Sequence, residues 1–205
     1  KANTIQTIRM LESINTLNTD IKLIFPDRGK FDKEPEDIEK FYEIKQSFEI
    51  LKLPHKLPFN SIHIKVLEKL NFLISSFVWS FKTIKKYSKS LSDKEIIMTR
   101  THWILYFASS YQNKIIYECH KFSKIDNLVF KKLAENNNVV IVFPNNELRQ
   151  EFRLSKLLLN NSLILESAFD EKMFSKTDIK KIKNKVLFVG NLLRFNKSRN
   201  LEFLI

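Results

Sequence analysis

The chain has 205 residues, 43% hydrophobic and 28% charged, which fits one globular domain or one and a half and excludes a disordered chain. Two glycines argue against propellers, collagen-like repeats and glycine-rich phosphate loops, and one cysteine, Cys119, excludes a disulfide framework or a multi-cysteine metal site and fits a reducing compartment. Thirty-five Lys and Arg against twenty-three Asp and Glu give +12, a balance that suits polyanions, although lysines scattered over solvated faces by codon bias need no ligand.

Taken in chain order, Ile5, Ile8, Leu11, Ile14 and Leu17 recur at helical spacing, so a helix is predicted over Thr4–Leu17, capped by Asn3 or Thr4. Asn18-Thr19-Asp20 breaks it. A strand follows over Ile21–Phe25, stopped by Pro26, then a charged stretch over Asp27–Tyr42 with a short helix, then a strand over Phe48–Leu53 ended by Pro54. A long helix is predicted over Ile62 to about Leu91, with Leu67, Leu70, Ile74, Phe77, Phe81 and Ile84 as its apolar face and lysines elsewhere. It reads as a crossover helix packed on a sheet, or as a basic, aromatic element lying on a membrane surface.

A regular alternation comes next. Strands are predicted over Glu95–Thr99, Lys114–Glu118, Val139–Phe143, Ser162–Glu166 and Val186–Val189. Helices are predicted over Trp103–Tyr111, Asp126–Glu135 and Glu147–Leu159 between them. Short strands separated by helices imply βαβ units and a parallel sheet flanked by helices, with right-handed crossovers. The polar, lysine-rich Ser175–Lys185 stretch marks a domain boundary, giving domains over 1–180 and 181–205. In such sheets ligands sit beyond the carboxyl ends of the strands. Chemistry is therefore sought at Thr99-Arg100-Thr101-His102, Glu118-Cys119-His120, Pro144-Asn145-Asn146, Ser167-Ala168-Phe169-Asp170 and Gly190-Asn191.

Several segments, in order, carry a resemblance. They are Asn3-Thr4 opening a helix, Ile97-Met98-Thr99-Arg100, Ile116-Tyr117-Glu118-Cys119-His120, Val140 to Phe143 with Pro144-Asn145-Asn146-Glu147-Leu148, Glu166 to Phe174, and Val186 to Leu193 with Lys197-Ser198. Together they resemble the GT-B glycosyltransferases of family 4, the glycosyl transferases group 1 class. The departures are specific. Ser167-Ala168-Phe169 replaces the usual glycine before the aspartate, Asn191 stands where the family has arginine, and Ser198 where it has glycine. The family also begins with a strand and a glycine-rich turn and carries an E-x7-E motif in its second half. This chain is therefore expected to be an incomplete piece, inactive alone: the Rossmann-like acceptor-side half plus the first strand of the donor-binding half.

The resemblance implies transfer of a sugar from a nucleotide-sugar donor to a glycan or lipid-linked acceptor, with retention and without metal or other cofactor. It makes His120 the catalytic residue facing the transferred sugar; without the family pattern His120 reads as a surface or cap histidine. Lys197 corresponds to the lysine that neutralises the donor diphosphate, and Arg194 stands in for the arginine missing at Asn191. Arg100, Glu118 and Asp170 line the cleft or the acceptor site, with a strand-end glutamate equally suited to pairing with a lysine. The four histidines show no metal-ligand spacing, and Cys119 beside His120 is no nucleophile–base pair because neighbouring strand residues point to opposite faces. Partners are then a nucleotide-sugar, a glycan or lipid-linked acceptor and an anionic membrane surface, not nucleic acid. No apolar run reaches the roughly 20 residues of a bilayer span, and a cytoplasmic location, peripheral at the inner face of the membrane, is expected. The other reading is a non-catalytic, basic Rossmann-like domain that binds nucleic acid or an anionic surface.

Overall fold

The computed structural model describes residues 2–27, 38–40, 44, 48–55, 65–92, 94–166, 193–194 and 197–198. They fall into two compact units, Lys1–Glu166 and Ser167–Ile205. The predicted Val186–Val189 strand and the Ser175–Lys185 boundary lie outside the described residues.

The first unit runs α1 (Ala2–Asn15), β1 (Lys22–Asp27), β2 (Glu49–Pro54), α2 (Lys65–Tyr87), β3 (Ile96–Thr99), α3 (His102–Ala108), β4 (Lys114–Glu118), α4 (Lys124–Lys132), β5 (Val139–Phe143), α5 (Asn146–Glu151), α6 (Lys156–Asn160) and β6 (Ser162–Ile164). The second contains the two-residue strands β7 (Leu193–Arg194) and β8 (Lys197–Ser198), paired antiparallel. Every strand pair of the first unit is parallel: β1 with β2, and β3, β4, β5 and β6 in sequential order. This is the expected Rossmann-like α/β class.

Apolar residues decide the register. Ile97, Ile115 and Val139 stand side by side, as do Thr99, Tyr117 and Ile141. On that face Ile115, Val139, Ile141 and Phe143 are fully buried, under Ile104, Leu105, Val129, Phe130 and Leu158 from the helices. Each such side chain contributes roughly 1.5–3 kcal/mol on burial. Sequential strand order with crossovers of one hand puts α3, α4 and α6 on this one face. The other face carries Met98, Ile116 and Val140, then Glu118 beside Val142, and it is thinly covered: Ile96, Met98 and Leu163 are exposed. A second, smaller core holds Ile8, Ile21 and Phe48, with Leu11, Ile14, Leu23 and Ile50 against it, so α1 covers β1 and β2.

Five predicted details change. The first helix begins at Ala2, ahead of the proposed caps, and ends at Asn15, so Leu17 lies exposed in the turn that Asn18 completes at φ 55°. Pro26 does not stop β1; it lies inside it opposite Leu53, where an edge strand tolerates the missing N–H. Helix α2 buries Ile84 of the predicted stripe together with Ser75, Trp79, Ser80 and Thr83, while Leu67, Leu70, Ile74, Phe77 and Phe81 are exposed. The single helix predicted over Glu147–Leu159 is two, because Phe152 turns extended (ψ 135°) and its ring enters the core against Phe122, Phe130 and Phe143. Ser155 then restarts the helix by capping the Leu158 N–H and donating its hydroxyl to the Ala134 carbonyl. Finally, α3 is shorter than predicted and ends at Ala108.

Candidate functional site at the strand carboxyl ends

Three of the residues singled out in the sequence meet where β3 and β4 end. Parallel pairing sets Thr99 beside Tyr117, so the residues that follow, Arg100 and Glu118 to His120, emerge at the same edge. The Glu118 carboxylate accepts from Arg100 Nε at 2.7 Å and from Arg100 Nη2 at 2.9 Å, a side-on fork. His120 Nε2 lies 2.8 Å from the same carboxylate, on Oε1. An ionised carboxylate only accepts, so the imidazole Nε2 carries the hydrogen, and in the neutral ring Nδ1 is the acceptor. Glu118 is 13% exposed at the side chain, Arg100 24% and His120 35%. The carboxylate is thus shielded while the imidazole reaches solvent. Glu118 pairs with an arginine and a histidine where the sequence suggested a lysine.

Alternation along β4 explains the division of labour. Glu118 and His120 take one side, and Cys119 between them takes the other, where it is buried. Burial, reinforced by the nearby Asp126 charge, pushes the Cys119 thiol up to about 12, so it is not a nucleophile near neutral pH.

A second group lies behind the first on the core side. Asp126, in the first turn of α4, is buried, and its Oδ1 lies 3.0 Å from His102 Nδ1. The Tyr117 phenol is held well above its ordinary range, first by burial and then by the Asp126 charge. Ser123 caps α4 by accepting from the Asp126 N–H at 3.4 Å, which fixes the carboxyl at the helix start. His102 belongs to a strand-end group named from the sequence, whereas Asp126 carried no signal: it looked like an ordinary helix-opening aspartate. His102 Nε2 is buried with no hydrogen-bond partner among the described residues.

Arg194 and Lys197 are paired across β7 and β8 in the second unit, and Asp170 lies outside the described residues. Among the described residues no group of three or more His, Cys, Asp and Glu is placed to hold a metal ion, and no helix is long and apolar enough to cross a membrane. No family model matches the chain, and no curated protein or solved structure matches it.

Proposed function

We propose that the chain is the acceptor-side part of a glycosyltransferase that moves a sugar from a nucleotide-sugar to a glycan or lipid-linked acceptor. The observation that carries the reading is the Arg100–Glu118–His120 cluster at the carboxyl ends of parallel strands, where open α/β sheets bind ligands. The ordered motifs that resemble family 4 enzymes supply the chemistry.

In this reading Glu118 is a positioning residue. It fixes the ring of His120 and selects the tautomer whose Nδ1 accepts a hydrogen bond from a hydroxyl of the transferred sugar. Positive charge that develops on the sugar as the donor bond lengthens is favoured by the carboxylate behind the imidazole. Arg100 braces the carboxylate through its two-point fork and adds a cation at the acceptor side. By resemblance, Lys197 and Arg194 offset the charge of the departing diphosphate, and the reaction proceeds with retention and without a metal ion. Acceptors embedded in a membrane would be met at its anionic face, from the cytoplasm.

The test is transfer of radiolabel from UDP-glucose, UDP-N-acetylglucosamine or GDP-mannose to a membrane lipid extract by the full-length gene product. His120→Ala is expected to lower turnover by about 10²-fold or more, with melting unchanged because the ring is part-exposed. Wild-type turnover in that variant, or no transfer from any donor, overturns the reading.

A further inference from the structure

The long helix α2 turns its most apolar face away from the core. Leu67, Leu70, Ile74, Phe77 and Phe81 follow one another at intervals of three, four, three and four residues and therefore form one line along the helix. Their exposures are 44, 52, 49, 41 and 47%. The line is roughly 21 Å long at 1.5 Å per residue. The core is served by the opposite side, through Ser75, Trp79, Ser80, Thr83 and Ile84. Among the described residues, neither core includes a member of this stripe.

At its C-terminal end the stripe broadens. Phe77 packs edge-on against Trp103 at 5.0 Å and Phe107 at 5.1 Å, and Phe81 against Phe107 at 5.4 Å. Lys82, Lys85, Lys86 and Lys89 are all exposed around that end. At 100° per residue Lys85 falls on the flank of the stripe, its Nζ 5.9 Å from the Phe81 ring, and Lys89 follows in the turn after the helix. The helix carries five lysines and one acid, Glu68.

We propose that this face of α2 docks on an anionic lipid surface, with the helix lying in the interfacial plane. Aliphatic and phenylalanine side chains enter the headgroup–acyl boundary, and the flanking ammonium groups reach lipid phosphates along their apolar stems. Charge complementarity decides the occupant. The same spacing suits pairing of two α2 helices, but a parallel pair would set Lys85 against Lys85 beside the stripe, and either direction brings together two chains of net charge +12. A lipid phosphate plane removes that repulsion and uses it. The proposal stands apart from the glycosyltransferase reading, since it needs no activity.

Sedimentation with vesicles of phosphatidylcholine and phosphatidylglycerol (7:3), compared with phosphatidylcholine alone, tests it. Wild type is expected to bind the anionic vesicles at least tenfold tighter, with most of that preference lost at 0.5 M salt. Leu70→Glu/Ile74→Glu and Lys82→Glu/Lys85→Glu should each lower binding at least tenfold without moving the melting temperature. Binding equal to wild type in the Leu70→Glu/Ile74→Glu variant overturns the proposal. So does a concentration-dependent dimer in sedimentation velocity that this variant abolishes, which assigns the face to a second copy. Should that variant fail to fold, quenching of wild-type tryptophan fluorescence by brominated lipids decides: Trp103 abuts Phe77, so its quenching supports the proposal and its absence overturns it.

Discussion

Glu118 ties together two strand ends, and its removal should be felt in both. Glu118→Ala strips the Nε and Nη2 edge of Arg100 and the Nε2 of His120 of a shared acceptor. The expected loss is about 1–3 kcal/mol, measured by urea unfolding, because the carboxylate is largely shielded from water. Combined with Arg100→Met the loss should be smaller than the sum of the two, since both variants delete one fork; strict additivity would show that the fork contributes no coupling. Cys119 makes a separate claim about pH. Its folded pKa, about 12, lies above that of an unfolded thiol, so between roughly pH 9 and 12 the folded state holds a proton that the unfolded state has released. Stability contributed by the neutral thiol is therefore complete below pH 9 and lost as pH rises, with Tyr117 acting in the same direction. Melting curves from pH 8 to 11 should show a decline that is shallower in Cys119→Ala. An identical slope in that variant would remove the thiol from the account.

Helices and strands differ in how well the sequence announces them, and the reason is burial. Strands β4 and β5 match their predicted bounds because Lys114–Glu118 and Val139–Phe143 are β-branched runs closed by polar turns, and both lie inside the sheet. The helices fared worse wherever a tertiary contact outweighed local preference. Phe152 leaves the helical conformation to fill the core among three other rings, and no periodicity in Glu147–Leu159 signals it. For α2 the apolar face is legible but not its cover: Ile84 enters the core and the other five residues do not, since periodicity reports that a face is apolar and not what covers it. The site was legible in the same partial way. Arg100, Glu118 and His120 follow from strand ends, but their mutual bonding depends on register, and Asp126 beside His102 depends on the capping of α4. That cap gives an element-scale expectation. Ser123→Ala removes the acceptor for the Asp126 N–H and should cost about 1 kcal/mol, a fall of roughly 2–4 °C in melting temperature. It should also loosen Asp126 relative to His102, visible as changed chemical shifts of the His102 ring. An unshifted ring with lowered melting would confine Ser123 to the helix end.

For the molecule as a whole, the buried side chains described all belong to the first unit. Among the described residues, both cores are built from residues 8–158: Ile8, Ile21 and Phe48 in the smaller one, and the larger one from Trp79 to Leu158. Ile24 of β1 packs against the larger core, which ties the two-stranded sheet to the four-stranded one within that unit. A chain ending at Glu166 therefore keeps every buried apolar contact described, and the helix caps at Ser123, Asn145 and Ser155 with it. Hydrophobic burial dominates folding energetics, so this shorter chain is expected to unfold in one cooperative step, with its melting temperature within about 4 °C of the longer one. It should also keep the Arg100–Glu118–His120 cluster, so Glu118→Ala should destabilise both lengths equally. The comparison is made by calorimetry on the two chains with and without that substitution. A 1–166 chain that binds a hydrophobic dye, loses its near-ultraviolet dichroism and melts without a transition would show that residues after Glu166 are required for the core. A Glu118→Ala penalty seen in only the longer chain would show instead that the cluster needs the second unit to assemble.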